Sequence, residues 1–257
     1  MPRSRPMAVT PAAKRIHEEL FPNHVSTLAV TDPELIEVFD NFAFDETLRE
    51  GRLDIRTRLT VQLAALIACG AVSEYRVMLG AALTAGVTPV EAKEIVYQAV
   101  PYVGMGRVFD FVRITNEVLS DHGVELPLES QSTTTRETRA ERGRAVQEQI
   151  VGSDRVQAMY DNASADELHF QRFLSANCFG DYLTRAGIEI ATRELVTFAL
   201  LISLGGTDPQ AKAHVAANLN VGNTRQRLLD VITVLVPFIG YPRALNALGA
   251  VNEIAPA

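Results

Sequence analysis

The chain is poor in cysteine: Cys69 and Cys178 are the two it has among 257 residues. They lie far apart, in neither a C-x-x-C pair nor a metal-ligand spacing, so neither a disulfide framework nor a zinc site is expected. Such a chain suits a reducing cytoplasm, and both thiols are expected to be buried small hydrophobes. Basic excess is also missing. The net charge is −7 with a pI near 5.3, which argues against nucleic acid or an anionic membrane as a partner. The longest apolar run, LTVQLAALIACGAV from Leu59 to Val72, falls short of the roughly 20 residues that span a bilayer. The N-terminal MPRSRPMAVT has basic residues with no apolar run behind them, so no signal peptide is expected. No alternating strand-like run of useful length occurs either, and the expected fold class is all-α.

What the chain does have is enough apolar sequence, 47%, for a full core, and a long internal repeat. VPYVGMGR at Val100 to Arg107 returns as VPFIGYPR at Val236 to Arg243. A shift of 136 superposes these phrases, and also Gly86-Val87-Thr88 on Gly222-Asn223-Thr224. A shift of 135 places TRLTVQLAALIACG on TRELVTFALLISLGG and Phe44 on Phe179. One residue inserted after the Gly pair explains the change. The period is that of a small domain, so the chain reads as a tandem duplication. The expected units are 1–125 and 143–257, joined by a polar linker over 126–142 whose Ser/Thr run and alternating charges bury nothing.

Each copy reads as helices. An Ala-rich segment around Leu63, Leu66 and Ile67 stops at Gly70, and a second helix runs from about Ser73 to Thr84. Thr88, Pro89 and Glu91 fit an N-cap, a first-turn proline and a capping box. That helix is expected to run to about Ala99 and to be broken by Pro101 and Gly104, with Arg107 opening the next. In the second copy Thr224 caps the matching helix and Pro242 starts the last one.

The order T-R-[EL]-x-V, an Ala-rich helix, a His-bearing helix, G-[VN]-T and then P-[YF]-[VI]-G-x-[PG]-R resembles the carboxymuconolactone decarboxylase and alkylhydroperoxidase D-like family, over roughly 42–119 and 177–252. The resemblance implies two tandem helical repeats packed as a pseudo-symmetric pair. It implies a pocket beside the P-x-x-G-x-P-R turn, and a homo-oligomer, with a trimer expected for a two-repeat chain. Peroxidase-type members carry C-x-x-C followed four residues later by His. Here His214 holds the His position, but Thr207 and Gln210 stand where the thiols would be. The first copy has Met78 at the His position, with Ser73 or Tyr75 near where a thiol might be sought.

Without thiolates there is no dithiol chemistry. The resemblance then implies a cofactor-free and metal-free lyase that decarboxylates, or otherwise enolises, a small carboxylated lactone. That chemistry needs a cation or donors to hold an anion and a general acid to protonate carbon. The expected catalytic residues are His214 as the acid, Glu194 to orient it or relay its proton, and Arg243 as the anion clamp. The expected substrate-binding residues are Arg193, Gln210, Tyr241, Glu74, Tyr102 and Arg107. An i,i+4 Glu–His pair is split between the copies: Glu74 faces Met78 in the first, and Gln210 faces His214 in the second. The site is expected in the second copy, with Tyr102 and Arg107 supplying an edge from the first. A peroxidase-like redox protein and a non-catalytic small-molecule binder on the same scaffold are the alternatives. The bland reading of His214 is a hydrogen-bonded core residue, and of Arg107 and Arg243, groups that cap carbonyls.

Overall fold

The computed structural model describes residues 8–22 and 26–256. His24 and the basic residues at 1–7 lie outside them. Among the described residues there is no strand. The first repeat contains α1 (Pro11–Leu20), a short α2 (Leu28–Thr31), α3 (Pro33–Asn41), a π-helical segment (Phe42–Glu46) and α4 (Thr47–Glu50). It continues with α5 (Ile55–Cys69), α6 (Val72–Thr84), α7 (Pro89–Val103) and α8 (Met105–Asp121). The second repeat has α9 (Arg139–Val151), α10 (Ser153–Asp161), α11 (Leu168–Phe173) and a second π-helical segment (Leu174–Leu183). Then follow α12 (Ile190–Leu204), α13 (Asp208–Asn220), α14 (Arg225–Ile239) and α15 (Tyr241–Ile254).

The two central helices, α5 and α12, pack against each other, and each also packs against the other repeat's α14 or α7. Their sequences explain this. Arg58 to Ala68 and Arg193 to Ser203 are buried without a break, as befits helices that are apolar on every side. Asp54 caps α5 by accepting from the Thr57 backbone N–H at 3.0 Å. Gly70 ends it at φ 72°, a left-handed conformation that glycine adopts without a Cβ penalty. The capping box at Thr88 and Glu91 forms, with bonds of 3.2 and 2.7 Å.

The repeated Pro-Gly phrase departs from expectation in one respect. α7 does not stop at Ala99 but continues through Pro101 to Val103, and α14 runs through Pro237 to Ile239. A proline so near the C-terminus forfeits a single backbone bond, and the turn recovers one when Gly104 N–H donates to Val100 O at 2.9 Å. The glycines make the break. Gly104 and Gly240 sit at φ 81° and 79°, and the next helices begin at once, at Met105 and Tyr241.

The stretch between α8 and α9 is not a loose tether. Thr133 and Thr134 hydroxyls donate to Thr184 O and Gly180 O, both at 2.8 Å. Gln131 O accepts from Ala186 N–H at 2.9 Å. Leu126 and Leu128 are half-buried, so the polar run buries more than its composition implies.

Helix α9 crosses the second π-helical segment backbone to backbone. A Cβ on Gly143 would lie 2.0 Å from Ser175 O and 2.5 Å from Gly180 N. Gly143→Ala should therefore destabilise the fold by about 1–3 kcal/mol through overpacking, even though alanine is the better helix former by about 1 kcal/mol. Chemical denaturation measures it; an unchanged or raised midpoint would contradict this packing.

Candidate active site between the repeats

Helix α12 carries Glu194 and helix α13 carries His214, and their packing brings the two side chains together. His214 Nδ1 lies 2.8 Å from Glu194 Oε2. The carboxylate is fully buried, while the imidazole is 16% exposed. Glu194 Oε1 is also buried and has no hydrogen-bond partner among the described residues. Asn218 fixes the two helices to each other: its Nδ2 donates to Glu194 O at 3.1 Å and to His214 O at 2.7 Å. Asn223 Nδ2 in turn donates to Asn218 Oδ1 at 2.8 Å.

The first repeat supplies one wall. The ring of Tyr102 meets His214 edge-on, with centroids 6.1 Å apart and an interplanar angle of 78°. Behind it runs a chain of hydrogen bonds that alternates between repeats. Arg193 Nη1 donates to Gln98 Oε1 at 2.9 Å, Gln98 Nε2 to Thr197 Oγ1 at 3.0 Å, and Thr197 Oγ1 to Tyr102 Oη at 3.1 Å. The Cys178 thiol lies beside Tyr102. Burial, with the charges of Cys178 and Glu194 nearby, pushes the Tyr102 phenol well above its ordinary value. Burial likewise pushes the Cys178 thiol up to about 12. At the far end Arg193 Nη2 binds Glu94 Oε2 at 2.9 Å, and Arg185 pairs with the same carboxylate at 2.9 Å. Burial pulls the Arg193 guanidinium down, while Glu94 holds it up.

The matching positions of the first repeat carry none of this. Subtracting 135 or 136 puts Leu59 at Glu194, Met78 at His214, Ala43 at Cys178 and Ala82 at Asn218. Across the pseudo-axis Phe238 stands for Tyr102 and Val234 for Gln98. Leu59 and Met78 are fully buried, so the first copy has become packing.

The remaining expected residues are dispersed. Arg193 is 1% exposed and its terminal nitrogens are taken by Gln98, Glu94 and the Arg185 and Ala186 carbonyls, at 2.8 to 2.9 Å. Gln210 is exposed on the first turn of α13, and Glu74 is exposed on α6, beside a first-repeat cavity that His17 and Asp40 also line. Tyr241, 61% exposed, stacks on Phe42 at 6.3 Å. The two repeated arginines meet at the C-terminal ends of the central helices. Arg107 donates to Ala68 O, and Arg243 Nη1 lies 3.7 Å from Cys69 Sγ, with its Nε beside Gly205. Eleven residues separate Glu194 from Gly205, roughly 16 Å along α12. The structure thus joins His214, Glu194 and Tyr102, and sets Arg243 at the other end of the helix. Gln98, Thr197, Asn218 and Cys178 were missed because no motif contains them. Comparing the copies position by position would have marked them, since each differs from its mate. Among the described residues no cluster of three or more His, Cys, Asp or Glu could hold a metal ion, and no helix is long and apolar enough to cross a membrane.

The model of the carboxymuconolactone decarboxylase family matches residues 33–117 and 169–253. A 4-carboxymuconolactone decarboxylase from Acinetobacter baylyi is 30% identical over 118 residues, 46% of this chain and 87% of that protein. A solved structure from Burkholderia xenovorans LB400, described as a gamma-carboxymuconolactone decarboxylase subunit, is 21% identical. It covers 93% of this chain and 95% of its own, with a TM-score of 0.49.

The burial of Cys178 has a measurable consequence. At pH 8 the native protein should show at most one slowly reacting thiol, Cys69, and two after denaturation; two fast thiols would refute the packing. Because the folded thiol ionises near 12 and an unfolded one near 8.5–9, this group's share of stability is complete below about pH 8.5 and is lost as pH rises towards 12. Cys178→Ala should flatten that alkaline decline in denaturation midpoint.

Proposed function

Since the chain belongs to the carboxymuconolactone decarboxylase family, we propose that it is a cofactor-independent lyase whose single acid–base centre is the His214–Glu194 pair. The substrate would be a small carboxylated lactone or a related enolisable acid. The observation that carries this reading is the buried carboxylate with one oxygen hydrogen-bonded to an imidazole and the other without a partner among the described residues. Burying a charged group in this way costs stability. Full burial of Leu59 and Met78 at the matching positions contributes about 1.5–3 kcal/mol each. The second repeat forgoes that gain, and holding a reactive imidazole accounts for the difference.

The geometry suits proton transfer. With Nδ1 engaged by Glu194, His214 can exchange a proton with a bound molecule only through Nε2. A protonated ring donates there to the carbon left when CO₂ departs, and a neutral ring accepts a proton from an enolisable carbon. Positioned acid–base catalysis of this kind contributes about 10²–10⁴-fold. Tyr102, held by Thr197, keeps the imidazole from turning. The dithiol route has little support: Cys178 is buried and pushed up to about 12, and Cys69 is raised by burial despite Arg243 and Arg107.

In our reading Arg107 and Arg243 cap the ends of the central helices. The cation that holds the substrate carboxylate comes from a second copy in a homo-oligomer. Repeat-equivalent apolar side chains support such an assembly: Met105 and Phe109 are each 48% exposed, and Tyr241 and Leu245 are 61% and 60% exposed. Paired exposed patches of this kind mark interaction surfaces.

His214→Ala should lower kcat for decarboxylation of 4-carboxymuconolactone by about 10²–10⁴-fold, followed by CO₂ release, and should also lower the thermal midpoint, because it leaves the buried Glu194 carboxylate without its partner. Met78→Ala, a core truncation in the first copy, should lower stability without abolishing turnover. An unchanged rate in the His214 variant contradicts the assignment.

A further inference from the structure

A cavity away from His214 has a built interior. It measures about 380 Å³ and lies between α7, α8 and the linker, walled by Val90, Lys93, Tyr97 and Asn116 and roofed by Leu126 to Gln131. The roof is held by the second repeat through the Gln131–Ala186 bond of 2.9 Å. Beside it the Arg185–Gly187 turn presses in so closely that a Cβ on Gly187 would sit 2.7 Å from Val90 Cγ1 and 3.1 Å from Glu94 Cγ.

Lys93 and Arg185 line the cavity together with Glu94 and Glu129, but neither carboxylate pairs with Lys93. Glu94, 1% exposed, is bound by both Arg185 and Arg193, so this cluster carries one positive charge in excess. Lys93 is half-buried. Its ammonium donates to Asn116 Oδ1, a neutral acceptor, it has no carboxylate in ion-pair range among the described residues, and burial pulls its pKa down. Glu129 on the linker also lines the cavity, but it is exposed on the rim and in no ion pair. Tyr97 gives a flat ring, with Lys93 Nζ 5.8 Å and Arg185 Cζ 5.2 Å from its centroid. Val90, Leu126 and Leu128 complete an apolar wall.

Comparison with the second repeat shows that this chemistry is local. There α14 and α15 border an open cleft of about 730 Å³ with no linker above it. The positions matching Lys93 and Tyr97 are Leu229 and Thr233. The open cleft has Arg49, Phe42 and Tyr241 from other elements, but neither cation nor ring at these two positions. We propose that this roofed cavity binds a small organic carboxylate with a flat unsaturated body, its carboxylate on Lys93 and its plane against Tyr97. The volume lies within the range of small-molecule pockets. The inference does not rest on the His214 reading: Lys93 and Tyr97 take no part in that site, although Glu94 and Arg185 also anchor the hydrogen-bond chain behind Tyr102.

Benzoate is the probe. Calorimetric titration of the whole protein should show saturable binding at one site per chain. Lys93→Gln should weaken it about 10–100-fold, the worth of a hydrogen bond to a charged group, and Tyr97→Ala should weaken it as well. His214→Ala should leave it unchanged. In backbone amide spectra of the wild type, benzoate should shift the resonances of residues 126–131, which keeps the test open if a variant folds poorly. The proposal is overturned if benzoate fails to bind the wild type. It is equally overturned if Lys93→Gln binds as tightly, or if the shifts fall on α12 and α13 and vanish in His214→Ala.

Discussion

The arrangement depends on one buried ion pair. Arg193 of the second repeat meets Glu94 of the first, each 1% exposed, at the point where α12 crosses α7. Replacing both partners with well-packed apolar groups would cost little, but removing one strands the other and costs about 3–5 kcal/mol. The pair therefore fixes the register of one repeat on the other more than it adds stability. The polar ladder between α7 and α12 extends from it. Gln98 bridges Arg193 and Thr197, Thr197 holds Tyr102, and Tyr102 sets the wall against which His214 rests. The donors in this chain all point the same way, from the Arg193 guanidinium to the Tyr102 hydroxyl, so each bond polarises the next.

Duplication then made a pair of interfaces with unequal fates. One kept its polar ladder, with carboxylate and imidazole at its end. At the other, Arg58 has lost the partner its mate enjoys. The residue matching Glu94 is the shorter Asp230, and no ion pair forms between them. Arg58 is pulled down by burial alone. Gln62 turns instead to the Val234 backbone carbonyl at 3.2 Å. The apolar side is the more economical structure and the polar side the more useful one. A scaffold with two such faces can lose one site and gain core without rearranging any helix.

Much of this was legible in the sequence. Long apolar central helices, the capping box at Thr88, and glycines at the ends of helices announce themselves through composition and local geometry, so the all-helical duplicate could be read directly. Glu194 and His214 could be paired because the helices that carry them are consecutive. The place of Arg243 could not, since it depends on where α15 crosses the end of α12. A glycine at φ 79° admits the turn without revealing where the next side chain lands. Pro101 misled for a related reason, because a proline's effect depends on how many helical bonds remain beyond it. The linker misled because its polar side chains spend their hydrogen bonds on the second repeat while its leucines face inward.

The central claim is that the second repeat holds an imidazole whose Nδ1 is fixed by a buried carboxylate and whose Nε2 is left to act. The most direct measurement is the ¹⁵N side-chain spectrum of His214 in the wild type and in Glu194→Leu, the residue present at the matching position of the first repeat. The account predicts that neutral His214 carries its proton on Nδ1 in the wild type and loses that preference in the variant. A wild-type ring protonated on Nε2, or a tautomer indifferent to Glu194, would contradict it.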